Sequence, residues 1–294
     1  MNTFYSILVA GLTVGALYAI ATIGLSLIWG ALGVLNMAHG ALLTLGGYMA
    51  YYAISVQGLP VWAGIAASLL AGAAAGGLLY IMVVRNVLRQ DNVDFETNVM
   101  IATVGVAIAV ENGILLLFGG RPLKQPVSID GSGSWGALVV PWQNLAIVVA
   151  AILAMVAVAL LLARTRMGRA IRATSQSRDA ARLMGVAVDR VYLVVLMLSG
   201  LIAAGCGLLL STMTQLSPSL GGDPMLKAFI MCVVAGLGNV PGAVLVSFGL
   251  ALLEAWTEYA LGARWGFPIL LSVVVCVLIW RPTGLLGSAQ IRRL

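Results

Sequence analysis

Residues 2–84 contain no aspartate, glutamate, lysine or arginine. A stretch that long with no charge has no face to turn to water, so it needs an apolar surrounding. A helix needs about 20 residues to cross roughly 30 Å of hydrocarbon, so the stretch holds more than one crossing. The polar cluster at Asn36 and His39 supplies one break, and Gln57-Gly58-Leu59-Pro60 supplies a second. Three spans are therefore predicted, at 4–29, 36–56 and 61–84. The first has no basic segment before it and outlasts a cleaved leader, so it reads as a retained helix and not a signal peptide.

Beyond residue 84 the pattern continues. Only 9% of the chain is charged and its mean hydropathy is +1.05, whereas a soluble domain carries roughly 25% charged residues. Further spans are predicted at 98–118, 142–163, 191–212, 226–238, 241–258 and 265–280. That makes nine, or eight if the short 226–238 element does not cross. Between them lie a polar loop at 85–97 (Arg85, Arg89, Asp91, Asp94, Glu96) and a Gly-, Pro- and Ser-rich loop at 119–141. The expected fold is all-α: a polytopic integral membrane protein, one transmembrane domain over 1–294, with some helices short or broken. Non-helical backbone at membrane depth is tolerated only under protein cover or along a wet cavity. Residues 30–40 and 236–242 are accordingly the candidate pathway regions.

One segment stands apart. Residues 164–190 hold seven of the fourteen arginines and only Asp179 and Asp189 as acids, a net +5 against +6 for the whole chain. Such an excess marks the cytoplasmic side. With the tail (Arg281, Arg292, Arg293) also inside, the N-terminus is expected outside. The segment is also patterned: Met167, Ala170, Ile171, Ala181, Leu183, Met184 and Val186 recur at three- and four-residue spacing among Arg169, Arg172, Arg178 and Arg182. Ser177 and Asp179 are candidate caps, so two short helices are predicted with a break near 174–177, the second ended by Gly185. A loop that only fixes topology has no need of that order; docking of a soluble partner does.

Several chemistries are excluded. The chain has no GxxxxGK[ST] phosphate loop, HExxH or GxSxG motif, and catalysis is not expected of it. Cys206, Cys232 and Cys276 fall in apolar runs without metal-ligand spacing. The basic residues flank spans and do not form a face with aromatics, so nucleic-acid binding is not indicated. Among ionisable groups at membrane depth, His39, beside Asn36, either faces a pathway or satisfies broken backbone. Glu111 and Glu254 are too few for a proton relay; Glu254 and Glu258 read as interfacial.

Taken together, Asn36-Met37-Ala38-His39-Gly40, Gly168-Arg169-Ala170 with Asp179-Ala180-Ala181-Arg182-Leu183-Met184-Gly185, Lys227-Ala228-Phe229, Gly236 to Ala243 and Arg281 to Gly287 resemble one family. This is the LivH-type permease subunit of ABC importers for branched-chain amino acids. The resemblance implies a multi-pass protein of the bacterial inner membrane that moves branched-chain or related amino acids by alternating access. It implies a LivM-type second permease, two P-loop ATPase subunits, a periplasmic amino-acid-binding protein and surrounding lipid as partners. ATP would be used by those partner subunits, with no cofactor on this chain. It assigns ATPase coupling to Met167, Gly168, Arg169, Arg172, Asp179, Ala180, Arg182 and Gly185. Asn36, His39, Gly236, Gly238 and Pro241 are the candidate pathway residues. The alternative is a secondary carrier or facilitative channel for a small polar solute.

Overall fold

The computed structural model describes residues 2–88, 94–127, 129, 131–135 and 138–287. Arg89, Asp91, Asp130, Arg292 and Arg293 lie outside the described residues.

Each expected apolar run is a helix. The first is α1 (Asn2–Leu32), and α2 (His39–Tyr51) is prolonged by a π-helical turn to Val56. A second π turn joins α3 (Val61–Leu79) to α4 (Arg85–Leu88), making one span. α5 (Phe95–Phe118) and α6 (Trp142–Arg164) follow, then the basic pair α7 (Arg166–Gln176) and α8 (Arg178–Leu183). α9 (Val188–Met213), α10 (Gly222–Ala235), α11 (Val240–Leu261) and α12 (Gly266–Trp280) complete the order. Among the described residues, seven helices are long and apolar enough to cross a membrane. The other two of the nine expected elements, α2 and α10, are short. The Gly-, Pro- and Ser-rich 119–141 loop contains a hairpin of β1 (Ser132–Trp135) and β2 (Leu138–Pro141), antiparallel with Trp135 opposite Leu138.

Helices in lipid gain little from apolar burial against one another, so close packing at small residues carries their association. α3 and α9 meet where a Cβ on Gly200 would strike the Gly72 backbone, and one on Gly76 would strike the Leu196 carbonyl. Between α2 and α9, Gly207 leaves no room for a side chain beside the Leu43 carbonyl. On the opposite flank, Gly11 and Gly15 seat α1 against Leu252 and Phe248 of α11. α1 is the hub: Ala16, Ala19, Ala21 and Ile28 are fully buried. α5, α6 and α12 lie at the periphery with mostly exposed apolar side chains.

Candidate functional site

The two short helices begin beside each other. His39, the first residue of α2, sits 3.0 Å through Nε2 from the Ala21 carbonyl of α1. Ala21 is eleven residues before Leu32, the last of α1. At 1.5 Å per residue, α2 therefore starts roughly 16 Å back along α1, well inside the bundle. α10 starts against the same place: Gly221 N donates to Thr44 Oγ1 at 2.9 Å, and Gly40 and Gly221 touch through backbone. From there the helices diverge, α2 towards the end of α9 and α10 towards the end of α1. Neither has a side-chain cap, so both present helix N-termini inside the protein, where partial positive charge gathers.

Residues 33–38 carry the chain back into the bundle. Asn36 is buried; its Oδ1 accepts from Ala38 N at 3.0 Å, and its Nδ2 is buried without a partner. Met37 N donates to Thr103 Oγ1 at 3.0 Å, which ties the break to α5. His39 is fully buried, with Nδ1 3.5 Å from Ser199 Oγ, and Ser199 in turn donates to the Gly24 carbonyl. So the ring pins α2 between α1 and α9, while the Asn36 amide keeps a free donor.

At the α10–α11 corner, Gly236 and Gly238 take φ of +97° and +84°, a region that suits glycine. Asn239 caps α11 by accepting from Gly242 N at 3.0 Å, with Pro241 in the helix's first turn. The corner is knitted to residues 281–287. Leu285 N donates to the Val234 carbonyl at 2.7 Å, and Asn239 Nδ2 donates to the Leu286 carbonyl at 2.8 Å. Two separate sequence motifs thus form one structural unit, against which Gly30 of α1 also packs.

The basic pair is two short helices broken at Ser177, as its spacing predicts, but Asp179 is not a cap: it lies in the first turn of α8, and the cap of α7 is Thr165, which the sequence reading did not name. Thr165 caps α7 by accepting from Gly168 N at 2.9 Å, and Ser177 caps α8 by accepting from Ala180 N at 3.3 Å. Gly185, at φ +82°, follows α8. Gly168 is buried against the Leu161 and Leu162 carbonyls, Met167 packs on the core, and Arg172 donates to the Leu162 carbonyl. Arg169, Asp179, Ala180, Arg182 and Gly185 are exposed. Ile171 and Ala181 face inward, but Leu183 and Met184 are 88% and 85% exposed. Their apolar spacing matches that of core positions; an apolar tip turned to solvent is not separable from a buried stripe by periodicity.

Glu254 requires a correction. It is not interfacial but buried, with Oε1 2.5 Å from Lys227 Nζ, while Lys227 also donates to Tyr18 Oη at 2.7 Å. α10 folds back on α11 at the glycine corner, and this brings the two charges together. Glu258, one turn further on, is exposed, and Glu111 is half-buried on α5.

A cavity of about 820 Å³ opens beside the basic pair, lined by Trp29, Gly33, Ser177, Arg178, Leu237 and Asn239 among others. It joins the end of α1, the glycine corner and the α7–α8 junction in one space.

A family model described as "Branched-chain amino acid transport system / permease component" matches residues 7–280. The chain is 28% identical to the Pseudomonas aeruginosa high-affinity branched-chain amino acid transport system permease protein BraD, over 97% of this chain and 96% of that one. It is 27% identical to the Escherichia coli permease protein LivH, over 96% and 95%. It is also similar to the Escherichia coli xylose transport system permease protein XylH, 40% identical over 31% of this chain and 25% of that one.

Proposed function

The chain belongs to the permease family of branched-chain amino acid transport systems, and on that premise we propose that it forms the membrane pathway for branched-chain or chemically similar amino acids in an ATP-driven importer. The observation that carries this is the α7–α8 pair. Both helices are capped, α7 is anchored to the bundle, and the exposed tip carries Leu183, Met184, Arg182 and Asp179. A soluble partner with an apolar groove and acidic rim is its natural complement, and this chain has no phosphate loop of its own. ATP binding and hydrolysis are therefore assigned to two partner subunits, with no cofactor held here. A LivM-type second permease and a periplasmic binding protein complete the assembly, the N-terminus lying outside and the C-terminus in the cytoplasm.

In this reading the single transmembrane domain spans 1–294, with residues 164–190 as its coupling element. Closure of the ATPases moves α7 and α8, and the motion passes through Arg178 and the Gly168 corner into the bundle. Paired half-helix ends at Asn36–Gly40 and Gly221–Gly222 line the pathway, a construction that transporters use to present backbone groups to a substrate. Asn36, with its free Nδ2, is the side chain best placed to contact substrate, whereas His39, Gly236, Gly238 and Pro241 shape the backbone around it. The cavity beside Asn239 and Arg178 is the cytoplasmic vestibule.

The test is a pull-down from mild detergent with a tag on this chain. A P-loop ATPase should be recovered from the wild type and lost on charge reversal of Arg169 and Arg172. A preparation free of ATPase that still transports amino acid in liposomes overturns the importer reading and restores the secondary carrier.

A further inference from the structure

The cavity beside the basic pair is bordered by charges that the fold leaves unpaired. Arg178, half-buried in its wall, spends one N–H on Tyr192, with Nε 2.9 Å from Oη. A guanidinium has five donors in a planar fork, and among the described residues neither Nη of Arg178 makes a hydrogen bond or an ion pair. An acid in the same condition stands at the Gly33 edge of the cavity. Glu96, exposed in the first turn of α5, holds Oε1 4.0 Å from where a Cβ on Gly33 would lie. It has no hydrogen-bond or ion-pair partner among the described residues, whose one salt bridge is Lys227–Glu254. Trp29, Val233 and Leu237 add apolar surface to the wall.

An open space of about 820 Å³ is of the size that holds small molecules. A free cation, a free anion and an apolar wall suit one class of them: a free α-amino acid with an apolar side chain, each of whose charges is best held by a charge-assisted hydrogen bond. We propose that the cytoplasmic vestibule is an inhibitory binding site for the imported amino acid. The Nη groups of Arg178 donate to its carboxylate, Glu96 accepts from its ammonium, and its side chain lies against Trp29 and Leu237. Occupancy ties α5 and α8 to the end of α1 and the glycine corner, against which the coupling pair has to move. Amino acid that has accumulated inside therefore holds α7 and α8 still and slows ATP hydrolysis. The site deepens the function proposed above and rests on it.

Inside-out proteoliposomes test this, with the permease–ATPase assembly in the membrane, leucine-loaded binding protein in the lumen and ATP outside. Leucine added outside meets the cytoplasmic face and should inhibit ATP hydrolysis saturably, read against each protein's own uninhibited rate. Leucinamide, which lacks the carboxylate, and 4-methylpentanoate, which lacks the ammonium, should each need about ten- to hundred-fold more for half-inhibition, the range expected for losing one charge-assisted bond. Glu96→Gln, a substitution at an exposed position that the fold tolerates, separates recognition from structure. It should weaken inhibition by leucine about ten-fold or more without weakening inhibition by 4-methylpentanoate, which has no ammonium for Glu96 to meet. Hydrolysis indifferent to outside leucine overturns the site, as does equal potency of leucine and both analogues. So does a Glu96→Gln protein in which leucine keeps its potency, or in which leucine and 4-methylpentanoate lose potency alike. Absence of any ATPase from the wild-type preparation instead removes the importer reading on which the site rests.

Discussion

Arg178 Nε donates to Tyr192 Oη at 2.9 Å while its guanidinium lies 4.9 Å from the centre of the Phe95 ring. One side chain at the start of α8 therefore grips the first turns of both α9 and α5. Replacing it with alanine removes the hydrogen bond and the stacking, each worth about 1 kcal/mol. Lysine keeps the charge but loses the planar fork and its stacking. Both variants should retain ATPase binding while the ATP consumed per amino acid imported rises several-fold. An unchanged ratio in reconstituted vesicles removes Arg178 from the coupling route.

Leu183 and Met184 contribute almost nothing to the fold of this chain, being 88% and 85% exposed. Leu183→Asp and Met184→Asp should leave thermal stability within about 0.5 kcal/mol of wild type, as surface substitutions do. Recovery of the ATPase in a pull-down should nevertheless fall sharply. Undiminished recovery would mean the apolar tip is not the docking surface.

Two glycines make a matched test of packing. A Cβ on Gly207 would lie on the Leu43 carbonyl, whereas one on Gly249 meets nothing within 4 Å. Gly207→Ala should cost about 1–3 kcal/mol by overpacking the α2–α9 contact. Gly249→Ala, in mid-helix, should be neutral or stabilising by up to about 1 kcal/mol. Melting temperatures in detergent decide it, and equal shifts for the two would refute the close contact.

Asn36 and His39 are three residues apart and should fail differently. His39→Ala opens a cavity and strips the contacts to Ala21 and Ser199, so it should destabilise by about 2–4 kcal/mol. Asn36→Ala gives up one hydrogen bond to Ala38 N, about 1 kcal/mol. It should fold and bind ATPase, yet import several-fold more slowly than the wild type. Full import by a folded Asn36→Ala protein takes its amide out of the pathway.

The spans are legible in the sequence because absence of charge and high hydropathy act over twenty residues at a time, and no tertiary detail reverses them. The two capped helices of the basic segment are legible for a local reason: Ser177 and Gly185 act on their immediate neighbours. Whatever depends on the chain returning to itself is not. Glu254 looks like an interfacial acid because its partner, Lys227, reaches it only after α10 turns at Gly236–Asn239. Leu183 and Met184 match the period of buried residues, and only the placement of α8 shows that they point outward. The 132–141 hairpin is hidden by the Gly-, Ser- and Pro-rich composition of its loop.

The corner at Gly236–Asn239 is held by hydrogen bonds from Leu285 and Leu286, residues made some fifty positions later. At about 5–20 residues per second, synthesis leaves that corner without its partners for roughly 3–10 seconds. During that interval the turn has only its local bonds, such as Asn239 N to the Gly236 carbonyl, and lacks those to residues 285 and 286. A chain halted before residue 285 therefore carries all seven spans found among the described residues, yet lacks the bonds that tie the corner between α10 and α11 to the segment after α12.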